Sequence, residues 1–239
     1  GKTPASAFPV RAALEVHIEQ GPILEKEDLQ IGVVTGVQGM RWYDIKTIGT
    51  SAHAGTTPMS GRNDAVITLS KVIAGFTEEL CQFGEAARAT FSSLRSEPLS
   101  RNTVQSVASA SLDIRHPNDE ELDRMEKILQ LRLNEFSKLN GTKSSLTRLS
   151  KTESTMFSEF CLSAIKKATE NLGYKQREMI SGAVHDSVYV SRTCPTAMIF
   201  VPCLRGVSHN ESESALPGDL TAGCNVLLQT ILLLDRQFQ

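Results

Sequence analysis

Between residues 42 and 149 the hydrophobic pattern switches repeatedly between a two-residue period and a period near 3.6. The first period is typical of strands and the second of amphipathic helices. The predicted strands are 42–50, 89–94, 104–114 and 144–149, and the predicted helices are 62–84 and 117–139. Three acidic residues open the second helix, where the helix dipole favours them, and Asn140-Gly141 ends it. The elements therefore follow the order β-α-β-β-α-β.

This order matches the ferredoxin-like arrangement and predicts a small domain with its own core. The flanking segments do not make up a complete domain of this kind. They comprise strands at 13–18 and 31–37, then a helix at 153–172, a loop, a short helix near Val188, a strand at 197–201 and a helix at 217–234. We therefore predict an α/β protein in which a ferredoxin-like domain, 39–151, is inserted into a partial α/β domain formed by 1–38 and 152–239.

Composition excludes several classes of protein. The 239 residues carry a net charge of −2, which argues against nucleic acid as a partner. No apolar run approaches the ~18 residues that span a membrane, and no signal-peptide pattern opens the chain. Five cysteines without paired spacing predict reduced, mostly buried thiols in a cytoplasmic protein. Because the chain begins at Gly1, we expect a processed product or a fragment.

Four of the five histidines, His17, His53, His185 and His209, occupy positions typical of a functional site. His17 ends an apolar strand, and His209 lies on the loop after strand 197–201, where α/β sheets bind ligands. Imidazole is the commonest side-chain metal ligand, but His17 also fits a core position and His209 an exposed loop. His53 lies in a loop of small residues that leaves its side chain unobstructed, as a functional histidine requires. The same loop also fits a simple turn with an exposed histidine. His116, at a strand end, is expected on the surface.

Two polar residues beside a predicted strand each fit more than one role. Asn102 and Arg115 flank this strand at an odd spacing, so they share a face only if the strand is irregular near Asn102. Arg115 suits a substrate carboxylate, or an ion pair with Asp113 or Asp119.

Two loops nearer the carboxyl terminus also carry candidate polar residues. His185-Asp186 fits a ligand-orienting pair, although we favour Asp186 as a helix cap. Asn210 and Glu211 are candidate hydrogen-bond partners for a metal-bound His209.

Seven segments occur together in a specific order. They are 13–22 (ALEVHIEQGP), 49–59 (GTSAHAGTTPM), 62–65 (RNDA), 102–104 (NTV), 112–116 (LDIRH), 182–186 (GAVHD) and 208–211 (SHNE). This set resembles the amidase/carbamoylase branch of the dinuclear-metal aminoacylase and carboxypeptidase superfamily. The branch includes N-carbamoyl-L-amino-acid hydrolase, allantoate amidohydrolase and β-ureidopropionase. The string His-Ile-Glu-Gln-Gly-Pro points to this branch rather than to the peptidases.

The resemblance implies metal-dependent hydrolysis of linear amide or ureido C–N bonds in small molecules such as N-carbamoyl amino acids or allantoate. It implies two divalent ions, zinc or manganese, and a ferredoxin-like lid that forms a homodimer. By the same resemblance, His17 and His209 are metal ligands. His53 polarises the scissile carbonyl in the partner subunit's site, Arg115 binds the substrate carboxylate, and Gln20 and Asn102 make further substrate contacts.

The sequence also departs from this family. The family's amino-terminal half carries a His-x-Asp segment, a bridging Asp and a Glu-Glu pair with the general base, and nothing here matches that half. We therefore expect an incomplete chain with little activity alone, and we expect the apolar run 198–201 to be exposed. Two different functions stay possible: a non-catalytic remnant that keeps the dimerisation surface, and a peptidase or aminoacylase relative acting on N-acyl amino acids.

Overall fold

Residues 10–238 are described by a computed structural model, in which the chain separates into two units. Unit 1 combines the first 38 residues with those from Thr155 onward, and unit 2 is Gly39–Ser154. Residues 1–9, which fall within the predicted domain 1–38, and residue 239 lie outside the described part.

The described elements are eleven strands and six helices, together with short 3-10 turns. The strands are β1 Ala13–Ile18, β2 Ile31–Val37, β3 Gly39–Ile48, β4 Ala52–His53, β5 Arg88–Glu97, β6 Thr103–Val104, β7 Val107–His116, β8 Lys143–Thr152, β9 Thr155–Met156, β10 Gln176–Ser181 and β11 Thr196–Val201. The helices are α1 Ile23–Lys26, α2 Ala65–Glu79, α3 Asp119–Leu139, α4 Glu159–Asn171, α5 Asp186–Val190 and α6 Pro217–Phe238. The protein is thus of the mixed α/β class, as predicted.

Unit 1 is built on a mixed sheet in the order β1-β11-β2-β10, with β9 beside β2. β1 runs parallel to β11, from Ala13 opposite Thr196 to Ile18 opposite Val201, and β11 runs antiparallel to β2. Helices α4 and α6 pack on the sheet. A Cβ on Gly223 of α6 would lie 2.6 Å from a methyl of Val201, so glycine allows this close approach of helix to sheet.

The position of β11 overturns one prediction. The run 198–201 was expected to be exposed, but each of its residues is at most 1% exposed. The prediction was wrong because β11 lies between β1 and β2, with helices α4, α5 and α6 packed on it. The sequence of a strand inside a covered sheet is a continuous apolar run, because both faces of the strand are buried.

Unit 2 contains a four-stranded antiparallel sheet in the order β5-β7-β3-β8. Its main elements follow the β-α-β-β-α-β order of the sequence pattern. Alternate residues of β7 are buried against α2 and α3, as the two-residue period predicts. Asp64 caps α2 by accepting hydrogen bonds from the amides of Val66 and Ile67, and Asn118 caps α3 in the same way at Glu120.

His116 is the last buried residue of this alternation and is only 7% exposed. Its Nδ1 accepts from the Asn118 amide at 3.0 Å, and its Nε2 lies 3.3 Å from the Phe83 carbonyl oxygen. The prediction of a surface histidine was wrong, because the strand continues two residues past Ile114 and keeps its inward-facing parity.

Three other element boundaries differ from the sequence prediction. The predicted strand 104–114 is two strands, and its first part, β6, pairs with β4 outside the main sheet. The predicted helix 153–172 begins only at Glu159, because the short strand β9 precedes it. A strand, β10, occupies part of the predicted loop after residue 172.

All five cysteines are free: Cys161, Cys194 and Cys203 are buried, and Cys81 and Cys224 are exposed. This agrees with the prediction of mostly buried thiols. Among residues 10–238, no helix combines the length and the apolar character needed to cross a membrane.

Replacement of Leu129 by alanine tests the core of unit 2. Leu129 of α3 is fully buried, so Leu129→Ala is expected to lower the free energy of unfolding by about 2–5 kcal/mol. Leu131 on the same helix is 65% exposed, and Leu131→Ala should change it by less than about 0.5 kcal/mol. Urea unfolding followed by circular dichroism measures both, and equal effects would contradict the described packing.

Candidate functional site

A cluster of three potential metal ligands lies against β1. Glu15 and His17 are two residues apart and therefore project from the same face of the strand. Val16 projects from the other face, toward Gly223 of α6. On the Glu15–His17 face, His185 approaches from the start of α5, and one ligand atom of each of the three residues lies within 4.8 Å of the others.

Aromatic packing holds the two histidines together. The ring centroids of His17 and His185 are 4.7 Å apart at an interplanar angle of 68°. The Phe200 ring of β11 contacts both, with centroid distances of 6.3 Å and 5.6 Å. Since His17 pairs with Phe200 across the parallel ladder, the register of β1 and β11 places this support.

Each member of the cluster is also held by a hydrogen bond. His17 Nδ1 donates to the Ile18 carbonyl oxygen at 2.8 Å, so its Nε2 keeps the lone pair. His185 Nε2 lies 2.7 Å from the Ser181 hydroxyl oxygen. Glu15 Oε2 accepts from the Ser187 amide at 3.2 Å and from the Ser187 hydroxyl.

Burial favours the neutral form of His185, which is 6% exposed. Burial lowers the pKa of His185 and the neighbouring His17 lowers it further, while Glu15 and Asp186 act in the opposite direction. A lowered pKa favours the neutral ring near pH 7, and the neutral ring is the form that binds metals.

His209 lies on the loop that follows β11, and a hydrogen-bonded chain links this loop to Gln20. Gln20 Nε2 donates to the Ser208 hydroxyl at 2.8 Å, and that hydroxyl donates to Glu213 Oε2 at 2.7 Å. The His209 amide donates to the same Glu213 oxygen at 3.2 Å. Gln20 and His209 both have positive φ, 58° and 55°, which is uncommon outside glycine and occurs often at functional sites.

The loop that carries His209 stabilises the charged form of the Glu213 carboxylate. The pKa of Glu213 is lowered first by the Ser208 hydroxyl, then by the His209 amide, and also by the charges of His209 and His17. His209 itself is exposed and is not a member of the three-residue cluster around His17.

In unit 2, the loop after β4 fixes the orientation of His53. His53 Nδ1 accepts hydrogen bonds from the amides of Gly55 and Thr56, at 3.1 Å and 3.2 Å. A neutral ring that accepts at Nδ1 carries its proton on Nε2. Arg62 braces the same loop by donating to the Ala54 and Thr57 carbonyl oxygens. The exposed His53 ring therefore presents an N–H donor.

Asn102 is the neighbour of His53 in the structure. His53 pairs with Thr103 across the β4–β6 ladder, and the Ala54 amide donates to the Asn102 carbonyl oxygen at 2.8 Å. Asn102 Oδ1 accepts from the Ser100 hydroxyl at 2.7 Å, which assigns its Nδ2 as the donor end of the side chain.

Arg115 lies at the opposite end of the sheet of unit 2. It pairs with Met40, whereas Val107 at the other end of β7 pairs with Ile48. Eight residues of extended strand separate Val107 from Arg115, a distance of roughly 26 Å. The irregularity near Asn102 therefore does not bring Asn102 and Arg115 together. Arg115 forms an ion pair with Asp113 at 2.7 Å, which is one of the roles that the sequence allowed for it.

Three site assignments from the sequence need correction or addition. The first residue of α5 is Asp186, and its N-cap is His185 without a side-chain cap, so the prediction that Asp186 caps the helix was wrong. Glu213 was missed as well: it accepts from the backbone amide of His209, whereas the roles of Asn210 and Glu211 toward the His209 ring stay predictions. Glu15 was missed, although its two-residue spacing from His17 places both side chains on one strand face.

Comparisons with known proteins agree with this architecture. Residues 3–233 match the profile of Peptidase family M20/M25/M40, and the chain belongs to this family. It is 32% identical to N-carbamoyl-L-amino-acid amidohydrolase of Rhizobium meliloti over 97% of this chain and 56% of that protein. It is 31% identical to allantoate amidohydrolase of Bacillus subtilis (strain 168), over 91% of this chain and 53% of that protein.

A solved structure gives the same result. An amidase of the hydantoinase/carbamoylase family from Burkholderia multivorans superposes with a TM-score of 0.92 at 40% identity, over 97% of this chain and 56% of that one. The resemblance drawn from the sequence is confirmed at the level of the family. The chain spans about half the length of the relatives it matches.

Removal of the Glu213 carboxylate tests the linkage in the His209 loop. Glu213→Ala is expected to speed hydrogen exchange of the His209 amide, because that amide loses its acceptor. Glu211→Ala is the matched control, since it removes an exposed glutamate from the same loop. Amide exchange followed by NMR measures both variants, and equal exchange in the two would show that Glu213 does not hold the loop.

Proposed function

We propose that this chain is part of a metal-dependent amidohydrolase that cleaves linear amide or ureido C–N bonds in small molecules, such as N-carbamoyl amino acids or allantoate. Two relatives bear the names N-carbamoyl-L-amino-acid amidohydrolase and allantoate amidohydrolase. Their shared chemistry is attack of water on a carbonyl carbon, with a nitrogen leaving group.

The observation that carries this proposal is the fixed orientation of His53 beside Asn102. Two backbone amides at Nδ1 hold the His53 proton on Nε2. The Ser100 hydroxyl binds Asn102 Oδ1, which leaves the side-chain N–H group of Asn102 as a second donor. Attack of water on a carbonyl places negative charge on the oxygen, and donors oriented beforehand stabilise that charge. In this proposal His53 polarises the scissile carbonyl and Asn102 contacts the substrate.

The donor residues of unit 1 fit a divalent metal. Two imidazoles and one carboxylate converge at the Glu15–His17 face of β1, a donor set that suits zinc and also manganese. In the proposed complete enzyme, His17 and His209 are ligands of two such ions. When bound, the ions supply a Lewis acid that activates water and polarises the carbonyl.

Arg115 and Gln20 are assigned to substrate recognition. The Arg115 guanidinium has five N–H donors and binds carboxylates in a planar, bidentate manner. We assign it to the carboxylate of an N-carbamoyl amino acid or of allantoate, in exchange for Asp113. Gln20 is held toward the His209 loop by Ser208, which supports a role as a further substrate contact.

The geometry of unit 2 favours a homodimer. We assign unit 2 as the ferredoxin-like lid, with β5 and β8 as the edge strands of its main sheet. Arg115 is roughly 26 Å along β7 from the end near His53 and Asn102, which is much longer than a carbamoyl amino acid. If all three residues contact one substrate molecule, then Arg115 and the His53–Asn102 pair come from different copies.

Five free cysteines support a reducing compartment such as the cytoplasm.

An activity assay of the 239-residue chain tests the catalytic proposal. No segment matching the family's general base and bridging carboxylate occurs in these residues, and loss of a general base alone typically costs about 10²–10⁴-fold in rate. With added zinc or manganese, the chain is expected to hydrolyse N-carbamoyl amino acids and allantoate at least that far below the usual ~1–10³ per second.

Controls separate this function from the competing ones. Faster turnover of N-acyl amino acids or dipeptides would favour a peptidase or aminoacylase instead. Turnover of carbamoyl substrates at the usual enzyme rate would show that the general base lies within these 239 residues. No hydrolysis, even in a protein that carries the missing half, would favour the non-catalytic remnant.

The dimer is tested by light scattering. The chain is expected to elute as a dimer at high micromolar concentration, because the substrate contacts of unit 2 require two copies. A chain that stays monomeric under these conditions would contradict the assignment of His53 and Arg115 to one substrate.

A further inference from the structure

We propose that Glu15, His17 and His185 form a three-ligand site that binds one divalent transition ion, of the zinc type, without a contribution from His209. The proposal shares His17 with the proposed enzyme function. It adds Glu15 and His185 as ligands and does not depend on the identity of the substrate.

The geometry of the cluster is close to that of a tetrahedral site. The three ligand atoms lie within 4.8 Å of one another. Ligands at 2.0–2.2 Å from a tetrahedral zinc ion are separated by about 3.4 Å, so binding requires an inward shift of about 1 Å. Side-chain rotations supply such a shift, since Glu15 reaches the cluster through a flexible stem and His185 lies on a loop before α5.

The surroundings of the cluster orient its ligands. The Ile18 carbonyl oxygen binds His17 Nδ1, and the Ser181 hydroxyl binds His185 Nε2. Each ring is therefore held by one nitrogen, which leaves the other available to a metal ion. Glu15 is held through Oε2 by Ser187, which leaves Oε1. Metal-binding histidines nearly always have such an outer hydrogen bond, which fixes the ring.

The chemistry of the donors determines which ion fits. Two imidazoles and one carboxylate are the ligands of many catalytic zinc sites, in which a fourth position stays open. Hard ions such as magnesium and calcium prefer oxygen ligands and are disfavoured here. A structural explanation competes with this one, in which Glu15 merely anchors α5 to β1 through Ser187 and no metal binds.

Calorimetric titration of the metal-free chain with zinc chloride distinguishes these explanations. One equivalent of zinc is expected to bind tightly. Cobalt chloride in its place should produce the strong visible absorption of a tetrahedral site. Glu15→Gln and His185→Gln keep much of the side-chain volume and hydrogen bonding, and each should lower the zinc affinity more than about 100-fold, beyond the usual cost of losing an outer partner.

Three further variants complete the test. Ser181→Ala should lower the affinity by about 10–100-fold through loss of the outer hydrogen bond, and it covers the case in which His185→Gln fails to fold. His209→Gln and His53→Gln should leave this binding unchanged. Circular dichroism melts of the metal-free variants confirm folding.

The proposal is overturned by absence of zinc binding in the full chain, or by binding that survives both Glu15→Gln and His185→Gln. It is also overturned if His209→Gln abolishes binding while His185→Gln does not, which would instead support the His17–His209 assignment of the enzyme proposal. Because no substrate takes part, failure of the hydrolysis assay leaves these outcomes unaffected.

Discussion

The parallel ladder between β1 and β11 determines how unit 1 is built and where its polar residues lie. It pairs Ala13 with Thr196 and His17 with Phe200, although the whole of unit 2 lies between these segments in the chain. A parallel pair aligns the carboxyl ends of its strands, and ligands of α/β sheets bind there. The register therefore places His17 beside Phe200 and starts the Gln20 and His209 loops from the same edge of the sheet.

Strand parity then divides the residues of β1 between two tasks. Val16 faces α6, where Gly223 permits close packing, while Glu15 and His17 face His185. A shift of one residue in this register would send the histidine into the helix layer and the valine into the polar cluster. The apolar core and the polar cluster thus depend on the same hydrogen-bonded ladder.

Sequence reasoning predicted the elements with strong periodicity and failed where tertiary pairing decides the structure. Both helices of unit 2 and the order of its elements followed from the hydrophobic pattern. The strand β10, with the sequence Gln-Arg-Glu-Met-Ile-Ser, has no clear apolar alternation and forms because β2 offers it a parallel edge. Likewise, the exposure of 198–201 could not be judged without knowing that β11 lies inside the sheet.

The residues of the candidate site also differ in how far the sequence alone predicts them. His17, His53 and His209 stood out because each follows or ends a strand. His185 was a candidate only as half of a ligand-orienting His-Asp pair, with a helix start as the favoured explanation, and Glu213 had no local signal.

The most direct test of the three-ligand cluster is anomalous diffraction from crystals of the zinc-loaded chain. We expect a zinc peak about 2.0–2.2 Å from a ring nitrogen of His17 and from ligand atoms of Glu15 and His185. Crystals with zinc bound elsewhere and none at His17 would contradict this assignment.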